Sequence, residues 1–259
     1  GLGDVYKRQQ GQEGIAECVI GPVDSKGHNQ AGKELRLGCD ALMIGNGLVP
    51  GGEVPRLLGA DQVYNAELGG WIPECDKFGR TSLTNLYAIG DGAGIRGAAV
   101  ACSSGQLAGL AVGHDAGLMN SVTFSQQCEK PLADYQKLTA FSTAMANMIR
   151  LRSAQVDSIP NEAIICRCED VTRQDLVSAA QSGARDVNQL KHFTRCGMGP
   201  CQGRMCGDIA AEILAQEHQI SRQAVGYWTA RPPLRPISLK SMLGQFEYFD
   251  IPIPKPAPL

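Results

Sequence analysis

Five of the ten cysteines in this 259-residue chain fall between Cys166 and Cys206. They sit in two short stretches whose spacing suits metal chemistry: ICRCED, with Cys166 and Cys168, and RCGMGPCQGRMCG, with Cys196, Cys201 and Cys206. Two thiolates one residue apart can both face a metal only where the backbone turns around it. Gly197, Gly199 and Gly203 give the second stretch the same freedom, and backbone amides in such loops hydrogen-bond cluster sulfurs and stabilise their charge. Structural zinc sites usually pair Cys-x2–4-Cys knuckles, a geometry that a one-residue spacing serves poorly. The Cys-x-x-Cys of a thiol–disulfide reaction centre is absent. Four thiolates in glycine-rich loops suit a 2Fe–2S cluster. The plain alternative, a set of unrelated buried cysteines, is disfavoured by the clustering.

The two thiol stretches need elements to hold them. Thr172 can cap a helix running to about Ser182 with Gly183 closing it, and Asp186 can start a second to about Phe193. A third helix leaves Cys206 and runs to about Ala215. The predicted order is loop, helix, helix, loop, helix, with thiolates at both loops.

The other unusual count is 31 Gly, concentrated in the first half. Ala41–Gly45 (ALMIG) and Leu86–Gly90 (LYAIG) are short apolar runs ending in Gly, as buried strands of a parallel sheet often are. The stretch Thr81–Gly97, TSLTNLYAIGDGAGIRG, places Asp91 at the carboxyl edge of such a strand, where open parallel sheets bind ligands. A carboxylate there can accept hydrogen bonds from sugar or ribityl hydroxyls, Gly92 and Gly94 permit close backbone approach, and the next helix N-terminus can face a pyrophosphate. On spacing alone a simple turn is an equal reading. Gly97–Gly113 suits a helix packed closely on a sheet, and 129–152 an amphipathic helix. Val156–Pro160 (VDSIP) reads as a linker. The Pro-rich stretch from about Ser221, with Pro232, Pro233, Pro236, Pro252, Pro254, Pro256 and Pro258, should lie extended over other surfaces.

Composition excludes several classes. A hydrophobic fraction of 43% and a charged fraction of 19% do not describe a largely disordered chain. A net charge of −2 offers no basic face for nucleic acid. No apolar run is long enough for a transmembrane helix, and nothing resembles a secretory signal, so the clustered cysteines fit a reducing compartment. The opening GLGDVYKRQ reads as translated adapter sequence. His28, His114, His192 and His218 are scattered, each a surface or packing residue rather than a catalyst. Cys102 is expected to be a small buried hydrophobe. Arg195 and Arg204 either offset cluster charge or face solvent.

CRCEDVT followed by GMGPCQGRMCG resembles the small 2Fe–2S domain of the bacterioferritin-associated ferredoxin type. That family separates its cysteine pairs by about thirty residues; 32 residues lie between Cys168 and Cys201 and 27 between Cys168 and Cys196. The resemblance therefore assigns the ligands to Cys166, Cys168, Cys201 and Cys206, with Cys196 as an alternate. The Cys201-x4-Cys206 loop is wider than in the short ferredoxin. TSLTNLYAIGDGAG is similar to the second FAD-binding motif of the disulfide-reductase-like flavoproteins with two dinucleotide-binding domains. There the residue matching Asp91 binds the ribityl chain, and Gly90, Gly92 and Gly94 lie against the cofactor. CDALMIGNGLVP resembles the preceding strand and turn, with Gly45 and Gly47 near the junction of the cofactor domains. Neither the N-terminal Gly-x-Gly-x-x-Gly of that family nor its NAD-binding counterpart is found, the match around GIRGAA coming too late and in the wrong context. The expectation is the second half of a longer flavoprotein, holding FAD weakly by itself, with NAD(P) a possibility for the whole.

The implied fold class is α/β: a partial two-dinucleotide-binding-domain flavoprotein with a parallel-sheet remnant, then a small helical 2Fe–2S domain. Expected boundaries are 1–9 adapter, 10–125 FAD/NAD(P)-binding remainder, 126–160 helical connector, 161–216 cluster domain and 217–259 Pro-rich tail. Over residues 35–215 the chain resembles the alpha (large) subunit of opine oxidase, hydroxyproline dehydrogenase and hydrogen cyanide synthase-type complexes. That implies an FAD-dependent oxidoreductase subunit for CH–NH or CH–NH2 donors, passing electrons between FAD and a 2Fe–2S cluster. Its partner would be a flavoprotein beta subunit, and its electron acceptor a respiratory chain or a ferredoxin-like carrier. No catalytic acid or base is assigned. The implied location is cytoplasmic or peripheral to the inner membrane. The rival readings are a non-enzymatic ferredoxin-like electron-delivery adaptor and a glycerol-3-phosphate-dehydrogenase-like subunit.

Overall fold

Every strand pairing is antiparallel in the computed structural model, which describes residues 5–10, 14–45 and 47–244. Strands β1 (Val5–Gln10), β2 (Glu17–Pro22) and β3 (Leu35–Gly38) form one sheet with β2 in the centre, and β2 buries Cys18 and Val19. Residues 5–9, set aside above as adapter, thus belong to a strand in register with β2, Val5 opposite Pro22. The prolines from Pro252 onward lie outside the described residues.

The expected parallel-sheet remnant is absent from the described residues. Ala41–Gly45 is exposed coil, with Met43 98% exposed. Leu86–Gly90 contributes only an antiparallel bridge from Tyr87 to Arg80. An apolar run becomes a strand only where neighbours take its N–H and C=O groups. No described strand lies beside Ala41–Gly45, so its apolarity alone cannot hold it extended.

Next come helix α1 (Glu53–Leu58) and the hairpin β4 (Gln62–Asn65)–β5 (Gly70–Pro73). Two long helices follow, α2 (Ala98–Asp115) and α3 (Ser121–Ile149). Helix α2 buries Val100, Ser103, Leu107, Ala108 and Ala111, a stripe of mostly small side chains that lets α3 pack closely. Cys102 falls off that stripe and is exposed, against the expectation of a buried thiol. Asn120 caps α3 by accepting from the Thr123 amide. At the α2–α3 corner, Asp115 accepts two hydrogen bonds from Arg80, at 2.6 and 2.8 Å, and one from Tyr87. His114 lies between Asp115 (3.1 Å) and Ser121 (3.2 Å) and stacks on Phe124. A histidine whose sequence neighbours promised no partner is therefore a corner brace.

Beyond the corner, α4 (Ser153–Asp157) replaces the expected linker, and Val156 is fully buried. It fills the core of a helical unit built from β6 (Ile164–Cys166), β7 (Val171–Thr172), α5 (Arg173–Gln181), α6 (Val187–Thr194) and α7 (Gly207–His218). Leu176, Leu190, Ile213 and Leu214 form its centre, joined by Val225 of α8 (Arg222–Val225). Helix α9 (Leu239–Met242) ends the described elements. The local signals place these helices as expected. Asp186 accepts from the Asn188 and Gln189 amides, Gly183 follows α5 at φ 111, and Thr172 accepts from the Asp175 amide while Asp175 accepts from the Thr172 amide. Thr172→Ala removes half of this capping box, and a urea titration should show a loss of about 1 kcal/mol. Among the described residues no helix is long and apolar enough to cross a membrane.

Candidate functional site

The cysteine centre is assembled from the end of β6, the turn after it, and the glycine-rich loop between α6 and α7. Cys166, Cys196 and Cys206 are buried, and their sulfurs lie within 4.8 Å of one another. Cys196 Sγ is 3.7 Å from Cys206 Sγ. Cys168 faces Cys201 at the more open side, both half-buried. The structure thus brings three of the five thiols of the two motifs into one buried group and sets the other two face to face beside it. It places Cys196, an alternate on sequence grounds, inside the buried group.

Electrostatics divides the buried pair. The hydrogen bond from Cys196 pulls the Cys206 thiol below the usual thiol range, helped by Cys166 and by the amides of Cys206 and Gly197, while burial opposes. Cys196 is driven strongly upward by that same bond and by burial. The contact thus favours the ionised form at Cys206 and disfavours it at Cys196. On the open side, a backbone bond with Cys201 lowers Cys168, but the Cys201 thiol, burial and the nearby Cys166 outweigh it and the net shift is upward.

Glycine is obligatory around this centre for reasons of contact. A Cβ at Gly199 would collide with Cβ of Cys168. Gly203, at φ 77, lies under the Trp228 indole, where a Cβ would come within 2.7 Å of Nε1, and one at Gly207 would come within 2.8 Å. Trp228 therefore covers the glycine face of the loop, and no spacing pattern in the sequence signals this role. Arg195 pairs with Glu169 at 2.8 Å and Arg204 with Glu53 at 2.6 Å. Both arginines flanking the second thiol stretch thus have a carboxylate partner.

The second predicted site is the turn before α2. Gly90–Ala93 form a single 3-10 turn, and Gly90 (φ 57) accepts a left-handed conformation there. Gly90, exposed Asp91 and Gly97 line a cavity of about 190 Å³, and the N-terminus of α2 opens beside it without a side-chain cap. Gly92 and Gly94 continue the turn but are not in the cavity wall, and Gly45 and Gly47 lie in exposed coil.

Against this geometry, comparisons with known proteins are informative. Residues 161–245 match the family model of the sarcosine oxidase A3 domain. The opine oxidase A-chain homologue of Rhizobium meliloti is 34% identical over 215 residues, 82% of this chain and 40% of that protein. Hydrogen cyanide synthase subunit HcnB of Pseudomonas protegens is 29% identical over 238 residues, 88% of this chain and 48% of that protein. The fold is similar to L-proline dehydrogenase from P. horikoshii, with a TM-score of 0.64 over 93% of this chain and 44% of that one, at 19% identity. The chain spans less than half the length of these relatives, between 40% and 48%. The chain belongs to the family that holds these opine oxidase and hydrogen cyanide synthase HcnB subunits.

Proposed function

We propose that the chain is the electron-transferring part of a flavin- and iron–sulfur-dependent oxidoreductase subunit that oxidises an amine or amino acid, working beside a flavoprotein partner. The observation that carries this reading is the buried group of Cys166, Cys196 and Cys206, with sulfurs within 4.8 Å of one another, beside which Cys168 faces Cys201 in a loop closed by glycine backbone. The names of the family members, an opine oxidase and a hydrogen cyanide synthase, support the substrate class.

The donor set fits a 2Fe–2S cluster: four thiolates are needed, and thiols on two sides of one centre supply them. In this reading Cys166, Cys168, Cys201 and Cys206 bind iron, and Cys196 donates its S–H to Cys206. The Gly197 amide donates to the same sulfur. Trp228 excludes water from the glycine face.

The flavin site fits in part. Asp91 can accept from ribityl hydroxyls, and the free amides of the α2 N-terminus can face a phosphate. A cavity of about 190 Å³ is smaller than the roughly 300–1,000 Å³ of a complete small-molecule site, so it holds a segment of FAD and binds weakly. When bound, the flavin supplies two-electron chemistry at a C–N bond and the cluster one-electron transfer toward a respiratory or ferredoxin-like acceptor. Further residues of the active site belong to the remainder of the protein or to its partner.

Anaerobic reconstitution with ferrous iron and sulfide tests the reading. The expected product holds two irons and two sulfides per chain, and dithionite reduction gives a rhombic electron paramagnetic resonance signal. A colourless product with a single zinc, and no such signal, would overturn it.

A further inference from the structure

A second cavity, of about 280 Å³, lies between α1, the β4–β5 hairpin, α7 and the 226–235 segment. Six cationic side chains line it: Arg56, Lys191, Arg204, Arg222, Arg231 and Arg235. Only two carboxylates, Glu53 and Asp208, stand in the same wall. Glu53 is occupied by Arg204 at 2.6 Å, and Asp208 by Arg222 at 3.0 Å. Lys191, Arg231 and Arg235 form no ion pair among the described residues.

Arg222 carries the argument further. Its side chain is only 10% exposed, its Nε is 3.4 Å from Glu212, its guanidinium lies 5.2 Å from the Tyr64 ring centroid, and its Nη1 has no hydrogen-bond partner among the described residues. The buried Nε of Arg56 is likewise without one among the described residues. Buried guanidinium donors left unmade are costly, so two arginines around one cavity, each short of an acceptor, mark a place for an anion. The remaining wall is aromatic: Trp71, Tyr227 and Trp228 line it, with the Arg56 guanidinium 4.5 Å above the Tyr227 ring.

We propose that this cavity binds an organic phosphate carrying a flat ring, a ligand of the mononucleotide class. Planar guanidinium forks match phosphate oxygens in pairs, and the indole and phenol faces receive the ring. The volume approaches that of a small-ligand site. The site is separate from the proposed ligand thiols, none of which lines it, so it stands whether or not the centre binds iron. Its place behind Gly197, Gly203 and Gly207 puts the bound phosphate against the loop that carries Cys201 and Cys206. The ligand therefore helps to hold that loop in place.

The chain has two tryptophans, Trp71 and Trp228, and both line the cavity, so intrinsic fluorescence reports occupancy directly. Titration of the full chain with AMP should give a saturable change, with a Kd about tenfold or more below those for adenosine or inorganic phosphate. The double variant R231Q/R235Q, on the exposed rim, should raise the AMP Kd about tenfold, the size of one lost charge-assisted contact. R222Q should abolish the response; if it fails to fold, the rim variant still decides. No saturable AMP response overturns the proposal. So does AMP binding no tighter than adenosine or phosphate, or binding unchanged in R231Q/R235Q.

Discussion

Cys206→Ser is expected to abolish cluster assembly, whereas Cys196→Ala leaves the iron in place and shifts its reduction potential. The two residues are in contact, 3.7 Å apart, and both are fully buried, so burial alone predicts no difference. Their environments differ in sign. Hydrogen bonds from Cys196, from Cys166 and from backbone amides lower the Cys206 thiol, whereas the bond with Cys206 and then burial raise Cys196. A thiolate ligand is lost with its residue, but a neutral donor to a ligand sulfur only tunes the charge it bears. Iron content and visible absorbance after reconstitution should fall to background in Cys206→Ser and Cys201→Ser and stay near wild type in Cys196→Ala. Retention of iron in Cys201→Ser with its loss in Cys196→Ala would move the fourth ligand to Cys196.

The second large effect concerns stability. Leu214 on α7 is fully buried among Val156, Leu176, Leu190 and Val225. Leu214→Ala deletes three buried carbons and leaves a cavity that rigid helices on every side cannot close, a change that costs about 2–5 kcal/mol. A domain of ordinary stability has about 5–15 kcal/mol in total, so urea unfolding should shift to a visibly lower midpoint with unchanged slope. A loss below about 1 kcal/mol would mean that this core is loosely packed.

The helical unit was legible because its signals are local. Thr172, Gly183 and Asp186 each act within a few residues of themselves, and each is found at the helix end its chemistry suggests. The gathering of the thiols followed from glycine-rich loops and clustered spacing. The status of Cys196 was not legible, because it depends on the fold of two loops about one buried point rather than on any interval along the chain. The first half misled for a related reason. ALMIG has a strand's composition, but extended structure needs a neighbouring strand, and antiparallel pairing elsewhere gives it none. Val156 was misjudged because a proline and a serine nearby suggested a linker, while its own side chain is core.

The contacts between the two halves also bear on the order in which the molecule forms. Trp71 Nε1 donates to the Gly226 carbonyl at 3.1 Å across 155 residues of sequence, and Arg204 reaches Glu53 across 151. Closing a flexible loop of that length costs about 4.5 kcal/mol of chain entropy, a cost that grows only with the logarithm of length. The α5–α7 unit, by contrast, lies within 46 residues of sequence, from Arg173 to His218. Short-range contacts form fast and long-range ones slowly, so the helical unit, with Trp228 laid on the nearby Gly197, Gly203 and Gly207, is expected to form before its 226–228 segment docks on Trp71. The thiol centre and its indole cover therefore belong to one locally connected unit, and the contacts expected to form last are those that join it to the first half of the chain.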